Sequence, residues 1–343
     1  MAIETAHSAA ENKRATSRRL DDVDRAKGFA IILVVFGHIV AREHPADNNW
    51  YSVAQFLIYS FHMPFFVYLA GVAFFYSGAS MHPKPDYRGY VLRRAVRLLV
   101  PFTLFGLVIV FGKLVAQRIM HVDNSIDNLL DAVTALFWNT RGSPAESVWF
   151  VFVLFVYCAI TPLLMRLTRN RVWPLLALAL AAYWTDPPAY LYLDRIAHYY
   201  VFFLIGSLAF CMPQALGHVD AWFAAYAGAF VIALTLLAFG IFDPVTFALS
   251  NVLSIPALHG LMRRYGFAHS SVLLRLGSYS FAIYLLNTIF IGVTKGALLK
   301  VVPWDGRYFL IFLPILLAVG LIGPILIQAL ALRRVRTLAR MWT

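Results

Sequence analysis

The chain reads as an all-α protein, a polytopic membrane helical bundle of about ten transmembrane helices, and three observations predict it. Of its 343 residues 61% are hydrophobic and 13% charged, with a mean hydropathy of +0.71, more apolar surface than a water-soluble domain of this size can cover. The apolar residues come in runs near the roughly 20 residues that a helix needs to cross the hydrocarbon core. The Lys and Arg residues collect in alternate short connections and at the two ends, an asymmetry that places both termini on the cytoplasmic side of a cell inner membrane.

Taken in order, the spans are expected at 26–42, 51–78, 90–119, 147–167, 172–185, 195–212, 218–240, 243–262, 272–298 and 307–332. The first opens on the charged stretch Asp21-Asp22-Val23-Asp24-Arg25-Ala26-Lys27 and then runs apolar to His38. The second carries Pro64, which frees a backbone carbonyl and opens a kink. The third is entered through Arg93, Arg94 and Arg97. The fifth, Trp173 to Trp184, is short enough for a re-entrant segment, and 126–139 has the look of an amphipathic helix lying at the interface. Residues 1–25 are expected to form a flexible cytoplasmic tail, 26–332 the membrane domain and 333–343 a basic cytoplasmic tail. The first twenty-five residues lack the apolar core and small-residue cleavage site of a signal peptide. No internal repeat is visible, which counts against an inverted-repeat transporter.

The formal net charge of +12 follows the loops rather than forming a patch, so it reads as membrane orientation and contact with anionic lipids, not as nucleic-acid binding. Cys158 and Cys211 each sit inside an apolar run, where a small buried hydrophobe is expected rather than a disulfide or a ligand. His38 and His62 lack a carboxylate or third ligand at metal spacing, so no metal is expected.

Ionisable groups inside a span are functional candidates. Lys27 and His38 are eleven residues apart, three helical turns, so they share a face at a separation of roughly 16 Å. Asp24, one turn before Lys27, can pair with it or cap the helix. Arg94 and Arg97 lie one turn apart, and Arg93 one turn from Arg97; guanidinium pairs suit phosphates. His62 precedes Met63-Pro64 on the wall of a curved span. Glu146 and Trp149 open span four, and Trp138, Asp194, Arg195, Tyr199 and Tyr200 lie near other outer ends, where aromatic belts are also expected.

Several of these stretches, in order, resemble the acyltransferase 3 family of membrane acyltransferases, particularly members similar to fucose 4-O-acetylases. They are Asp24-x-x-Lys27-Gly28 followed by Val34-Val35-Phe36-Gly37-His38, Phe61 to Gly71, and Arg93-Arg94-Ala95-Val96-Arg97 running to Pro101. Weaker matches are Val148-Trp149-Phe150, Phe202 to Gly206 and Ser280 to Asn287. The resemblance covers about residues 20–330. Two positions depart from the family's pattern: Ala70 stands where Ser is frequent, and Asn287 where His is frequent. An amide does not titrate, so Asn287 can orient or hydrogen-bond but not carry a proton.

The resemblance implies an O-acyltransferase that moves an acyl group, acetyl as the first expectation, from acyl-CoA to a hydroxyl of a sugar, lipid-linked oligosaccharide or exopolysaccharide unit. Such chemistry needs a base, cations for the donor and donors near the developing oxyanion. His38 suits the base, since imidazole titrates near neutral pH, or it is a covalent acyl acceptor; both stay open. Lys27 and Asp24 then organise the first span, Arg93, Arg94 and Arg97 hold the phosphates of acetyl-CoA, and His62, Glu146, Trp149 and Asn287 are candidates for the acceptor side. A transporter with a proton relay through Asp24, Lys27 and His38, and a non-catalytic scaffold of a polysaccharide assembly complex, are the competing readings. The acceptor, the acyl group, the side of transfer and the oligomeric state are left open.

Overall fold

The computed structural model describes residues 21–41, 44–78, 86–119, 122 and 125–334. Of the tails expected at 1–25 and 333–343, residues 1–20 and 335–343 lie outside the described residues. No strand occurs among the described residues; a single isolated bridge joins Ala46 and Asp305, and helices account for the fold.

Helix α1 occupies residues 21–38. It is followed by α2 (Asn49–Tyr59), α3 (His62–Tyr76), α4 (Tyr87–Ala116), α5 (Leu129–Thr134), α6 (Trp149–Leu167) and α7 (Val172–Tyr183). Then come α8 (Leu193–Cys211), α9 (Pro213–Ala221), α10 (Phe223–Ala238), α11 (Pro244–Met262), α12 (Ser271–Ser278), α13 (Ser280–Leu298) and α14 (Phe309–Arg334). Among the described residues seven helices are long and apolar enough to cross a membrane, and eight if α9 and α10, bent by 71°, count as one span. The expected second span is α2 and α3 together, broken at Ser60-Phe61; the ninth is α12 and α13, broken at Tyr279. Two expected spans fall short for physical reasons: α7 has 12 residues, and α1 carries five charges, Asp21, Asp22, Asp24, Arg25 and Lys27, in its first two turns. The expected interfacial helix at 126–139 reduces to the six residues of α5. Residues 21–25, expected in the tail, are the first turns of α1, where Arg25 pairs with Asp21 and Asp22.

Helix α1 is threaded through the bundle. Val23, Ala26, Ala30, Ile31, Val34 and Val35 are 0–2% exposed, a stripe at helical spacing that faces packed protein rather than lipid. Helix α1 meets α12 through a reciprocal contact: a methyl at Gly28 would run into the carbonyl of Leu273, and one at Gly277 into the carbonyl of Asp24. Helices α3 and α8, which pack extensively, use the same device, with Gly71 against Phe203 and Gly206 against Val72. Small residues at such crossings let backbones approach where lipid supplies no hydrophobic drive between helices.

Prolines inside the spans free carbonyls that lipid cannot satisfy, and side chains from neighbouring helices answer them. Pro162 leaves the Cys158 carbonyl without its usual donor in α6; the hydroxyl of Tyr90 on α4 donates to it at 3.1 Å, and that of Tyr87 to the adjoining Ala159 carbonyl at 2.5 Å. The carbonyl of Ser60, which Pro64 cannot engage, accepts from Ser250 on α11 at 3.1 Å. Cys158 is buried as expected, whereas Cys211, at the end of α8, is exposed.

At the end where α1 begins, Arg263 ties three elements together. It bonds Asp220 on α9 at 2.7 and 3.0 Å and Asp22 on α1 at 2.8 Å. The hydrogen bonds it donates to Asp220, with the charges of Asp220 and Asp22, hold the Arg263 guanidinium above its ordinary pKa despite partial burial.

Candidate active site

The last turn of α1 presents its final carbonyls to α2, whose polar residues recur every four positions. Tyr51 donates to Phe36 O at 2.6 Å, Gln55 to Gly37 O and Val40 O at 2.6 and 2.7 Å, and Tyr59 to Gly37 O at 2.7 Å. A helix end buried in a membrane protein needs such partners. Their effect is to fix the backbone on both sides of His38.

The side chain of His38 is fixed as well. Asn287 on α13 is fully buried, and its Nδ2 donates to Ile283 O at 2.7 Å and Tyr284 O at 2.9 Å. That assignment turns Oδ1, an acceptor only, toward His38 Nδ1 at 2.8 Å. His38 Nδ1 therefore carries the proton, and Nε2 is left as the unprotonated, basic nitrogen. Asn287, expected on the acceptor side, bonds His38 and is not on the wall of the neighbouring cavity.

That cavity has a volume of about 550 Å³, within the range of small-molecule sites. His38, Tyr59, His62, Glu146, Trp149 and Tyr284 are on its wall. His62 stacks on Tyr59 with ring centroids 5.1 Å apart, and its Nδ1 bonds Ile58 O at 2.8 Å; by the same logic its Nε2 is an acceptor. Tyr284 accepts from the N–H of Phe150 at 3.1 Å, so its own hydroxyl proton remains for donation. Glu146 is paired with Arg195, whose guanidinium lies 4.7 Å over the Trp149 ring.

The other expected residues lie elsewhere. Asp24 and Lys27 neutralise one another at 3.1 Å and are absent from the cavity wall: eleven residues of helix place Lys27 on His38's face but some 16 Å away along the axis, and Asp24 lies nearly a turn farther. Arg93 pairs with Asp86 at 3.8 Å on the surface, and Arg94 sits 5.5 Å over Tyr90. None of Arg93, Arg94 and Arg97 is on the wall. Helix α4 reaches the cavity only in its second half, where Val108, Ile109, Gly112, Lys113 and Ala116 are on the wall, beginning about 16 Å beyond Arg97 at the α-helical rise. Lys113 and Lys295 were missed by sequence reasoning, which had no cue beyond a lone lysine near each span's end. Tyr51, Gln55 and Tyr59 were legible in principle as a polar stripe in an apolar span. Among the described residues no cluster of three His, Cys, Asp or Glu could hold a metal ion.

A family model for an acyltransferase domain matches residues 20–332. The chain belongs to the acyltransferase 3 family. Among curated proteins it is similar to the nodulation protein NolL of Mesorhizobium japonicum, 28% identical over 246 residues, which are 70% of this chain and 61% of that protein. It is also similar to the nodulation protein NolL of Sinorhizobium fredii, 29% identical over 188 residues, 54% of this chain and 47% of that protein. The chain thus spans about half to three-fifths of the length of these relatives. No solved structure matches it. Family membership and the apolar helices together make it a multi-pass membrane protein.

Proposed function

We propose that the protein is a membrane O-acyltransferase that moves an acyl group, acetyl in the first instance, from acyl-CoA to a hydroxyl of a sugar, a lipid-linked oligosaccharide or an exopolysaccharide unit. The observation that carries this reading is the Asn287-locked imidazole on the cavity wall, in a chain of the acyltransferase 3 family. His38 Nε2 takes the proton of the acceptor hydroxyl as its oxygen attacks the thioester carbonyl. The C–O bond forms, the C–S bond breaks, and the thiolate leaves with the proton held on Nε2. The Tyr284 hydroxyl is placed to donate to the oxyanion of the tetrahedral intermediate. Aromatic faces at Trp149 and Tyr59 suit a sugar ring. Asp24 with Lys27, and Arg93, Arg94 and Arg97, belong to the opposite end of the bundle, where we place the cytoplasmic side of an inner membrane, both termini and the residues that attract the donor. The acceptor then enters from the outer side.

Family membership favours acyl transfer over a proton relay through Asp24, Lys27 and His38, because those charges pair with each other rather than chain toward the imidazole. Purified protein incubated with labelled acetyl-CoA and candidate glycans decides the matter. His38→Ala is expected to yield folded membrane protein and no acylated product; product retained by His38→Ala rejects the assignment.

A further inference from the structure

The wall of the His38 cavity carries a second imidazole that the transfer step above does not use. His62 opens α3 and is 6% exposed, a degree of burial at which polar groups normally find partners. Its Nδ1 donates to Ile58 O at 2.8 Å, which leaves Nε2 as an acceptor only. That nitrogen is accessible and has no partner among the described residues; in a side chain so buried, on the cavity wall, the space it opens onto is the cavity. His38 is in the same condition, with Nδ1 bonded to Asn287 and Nε2 open. The two rings are near enough for a charge on one to act on the other, and a third ring sets their relation. Tyr59 donates to Gly37 O at 2.7 Å, lies so close to Gly37 that a methyl there would sit 2.4 Å from its ring, and stacks on His62 with ring centroids 5.1 Å apart. Glycine at 37 thus lets Tyr59 bridge the backbone beside His38 and the His62 ring. One wall presents two imidazole acceptors, and a molecule that satisfies both brings two donors. Two hydroxyls of a sugar ring do so, whereas a monohydric alcohol leaves one nitrogen unpaired.

We propose that His62 determines acceptor specificity: its Nε2 accepts from a second hydroxyl of the ring whose first hydroxyl His38 deprotonates, so that the acceptor is a ring diol and not an isolated alcohol. The proposal rests on the acyl-transfer reading above. His62 holds the second hydroxyl and carries no proton in the reaction, and Tyr59 is a positioning residue that keeps the two acceptors in register.

Initial rates of transfer from labelled acetyl-CoA by the purified full chain in nanodiscs are compared for cyclohexanol, cis-1,2-cyclohexanediol and cis-1,3-cyclohexanediol. Wild type is expected to favour one of the diols over cyclohexanol by roughly tenfold or more in kcat/KM. His62→Phe, which keeps a ring to stack on Tyr59 but has no nitrogen, is expected to lose that preference; misfolding lowers all three rates together and leaves their ratio alone. His62→Gln, whose amide oxygen accepts but does not titrate, is expected to restore the preference with the pH profile of kcat unchanged. Equal kcat/KM for the diols and cyclohexanol in wild type, or the same preference in wild type and His62→Phe, overturns the proposal. So does a shifted pH profile in His62→Gln, which makes His62 a proton carrier, and so does a rise in KM for acetyl-CoA in His62→Phe with the diol preference intact, which gives Nε2 to an amide of the donor. Saturation-transfer NMR with the same three compounds and no donor separates the two readings. Diol-selective binding that His62→Phe abolishes, without any product, sinks the transfer reading alone; product without diol selectivity sinks the subsite alone; neither binding nor product sinks both.

Discussion

Replacing Asn287 by Leu removes the one acceptor that holds the His38 Nδ1 proton. The site is fully buried and the bond is 2.8 Å long, so no water replaces the lost oxygen and the imidazole is left with an unsatisfied donor in the tautomer that catalysis needs. A buried donor without a partner costs about 1–3 kcal/mol. The imidazole escapes that cost by moving its proton to Nε2, where it blocks the base, so the cost reappears in the barrier. At 1.36 kcal/mol per factor of ten, this amounts to a fall in kcat of roughly 5- to 150-fold. Leu is close to Asn in size, and the carbonyls of Ile283 and Tyr284 lie within a helix that already engages them, so folding is expected to survive. Initial rates with labelled acetyl-CoA, over a range of both substrates, are expected to show a drop in kcat with KM little changed, and a large recovery in Asn287→Asp, whose carboxylate again accepts from Nδ1. A folded Asn287→Leu protein with kcat within twofold of wild type refutes the tautomer argument.

Three further outcomes test the scaffold. Gly28→Leu places a branched side chain against the Leu273 carbonyl at the α1–α12 crossing; backbone cannot yield as a side chain can, so the protein is expected to lose thermal stability in detergent and activity together, with Gly28→Ala milder. Arg263→Met deletes the bonds to Asp220 and Asp22, at about 1.5–3 kcal/mol for a charged hydrogen bond, and is expected to lower the unfolding midpoint while a folded fraction retains kcat. Tyr90→Phe strips the Cys158 carbonyl of the partner that stands in for the missing donor of Pro162. It is expected to cost about 1–3 kcal/mol of stability, read by the same thermal assay; an unchanged midpoint counts against the proline-carbonyl account.

The fold class was legible because hydropathy and charge placement act on every residue of a membrane span: helices must satisfy their own backbone in lipid, and lysines and arginines must reach water. Where that reading fell short, the cause was local. The breaks at Ser60-Phe61, Tyr279 and Trp222 lie within stretches whose average hydropathy is that of a single span, and an average has no means of seeing a bend. Helix α1 reads as a span from its apolar stripe, yet its first turns carry five charges because Arg25, Lys27 and the aspartates pair with each other and with Arg263. The glycines of three motifs, Gly28, Gly71 and Gly206, were visible as residues but not as the contact points of crossing helices.

Hydropathy and charge placement settled that this chain lives in a membrane as helices, the ordered motifs carried the resemblance to the acyltransferase 3 family, and spacing put Lys27 on the face of His38. They act through local periodicity and solvent preference, and these need no knowledge of neighbours. Which groups share a cavity depended on packing between helices remote in the chain. Asn287 comes to His38 across 249 positions, Arg195 joins Glu146 across 49, and Lys113 and Lys295 meet the same wall from separate helices, while Arg94 and Arg97 are not on it. Depth along a helix and the rotation of one helix against another are set by side-chain interlocking, and no one-dimensional pattern carries them.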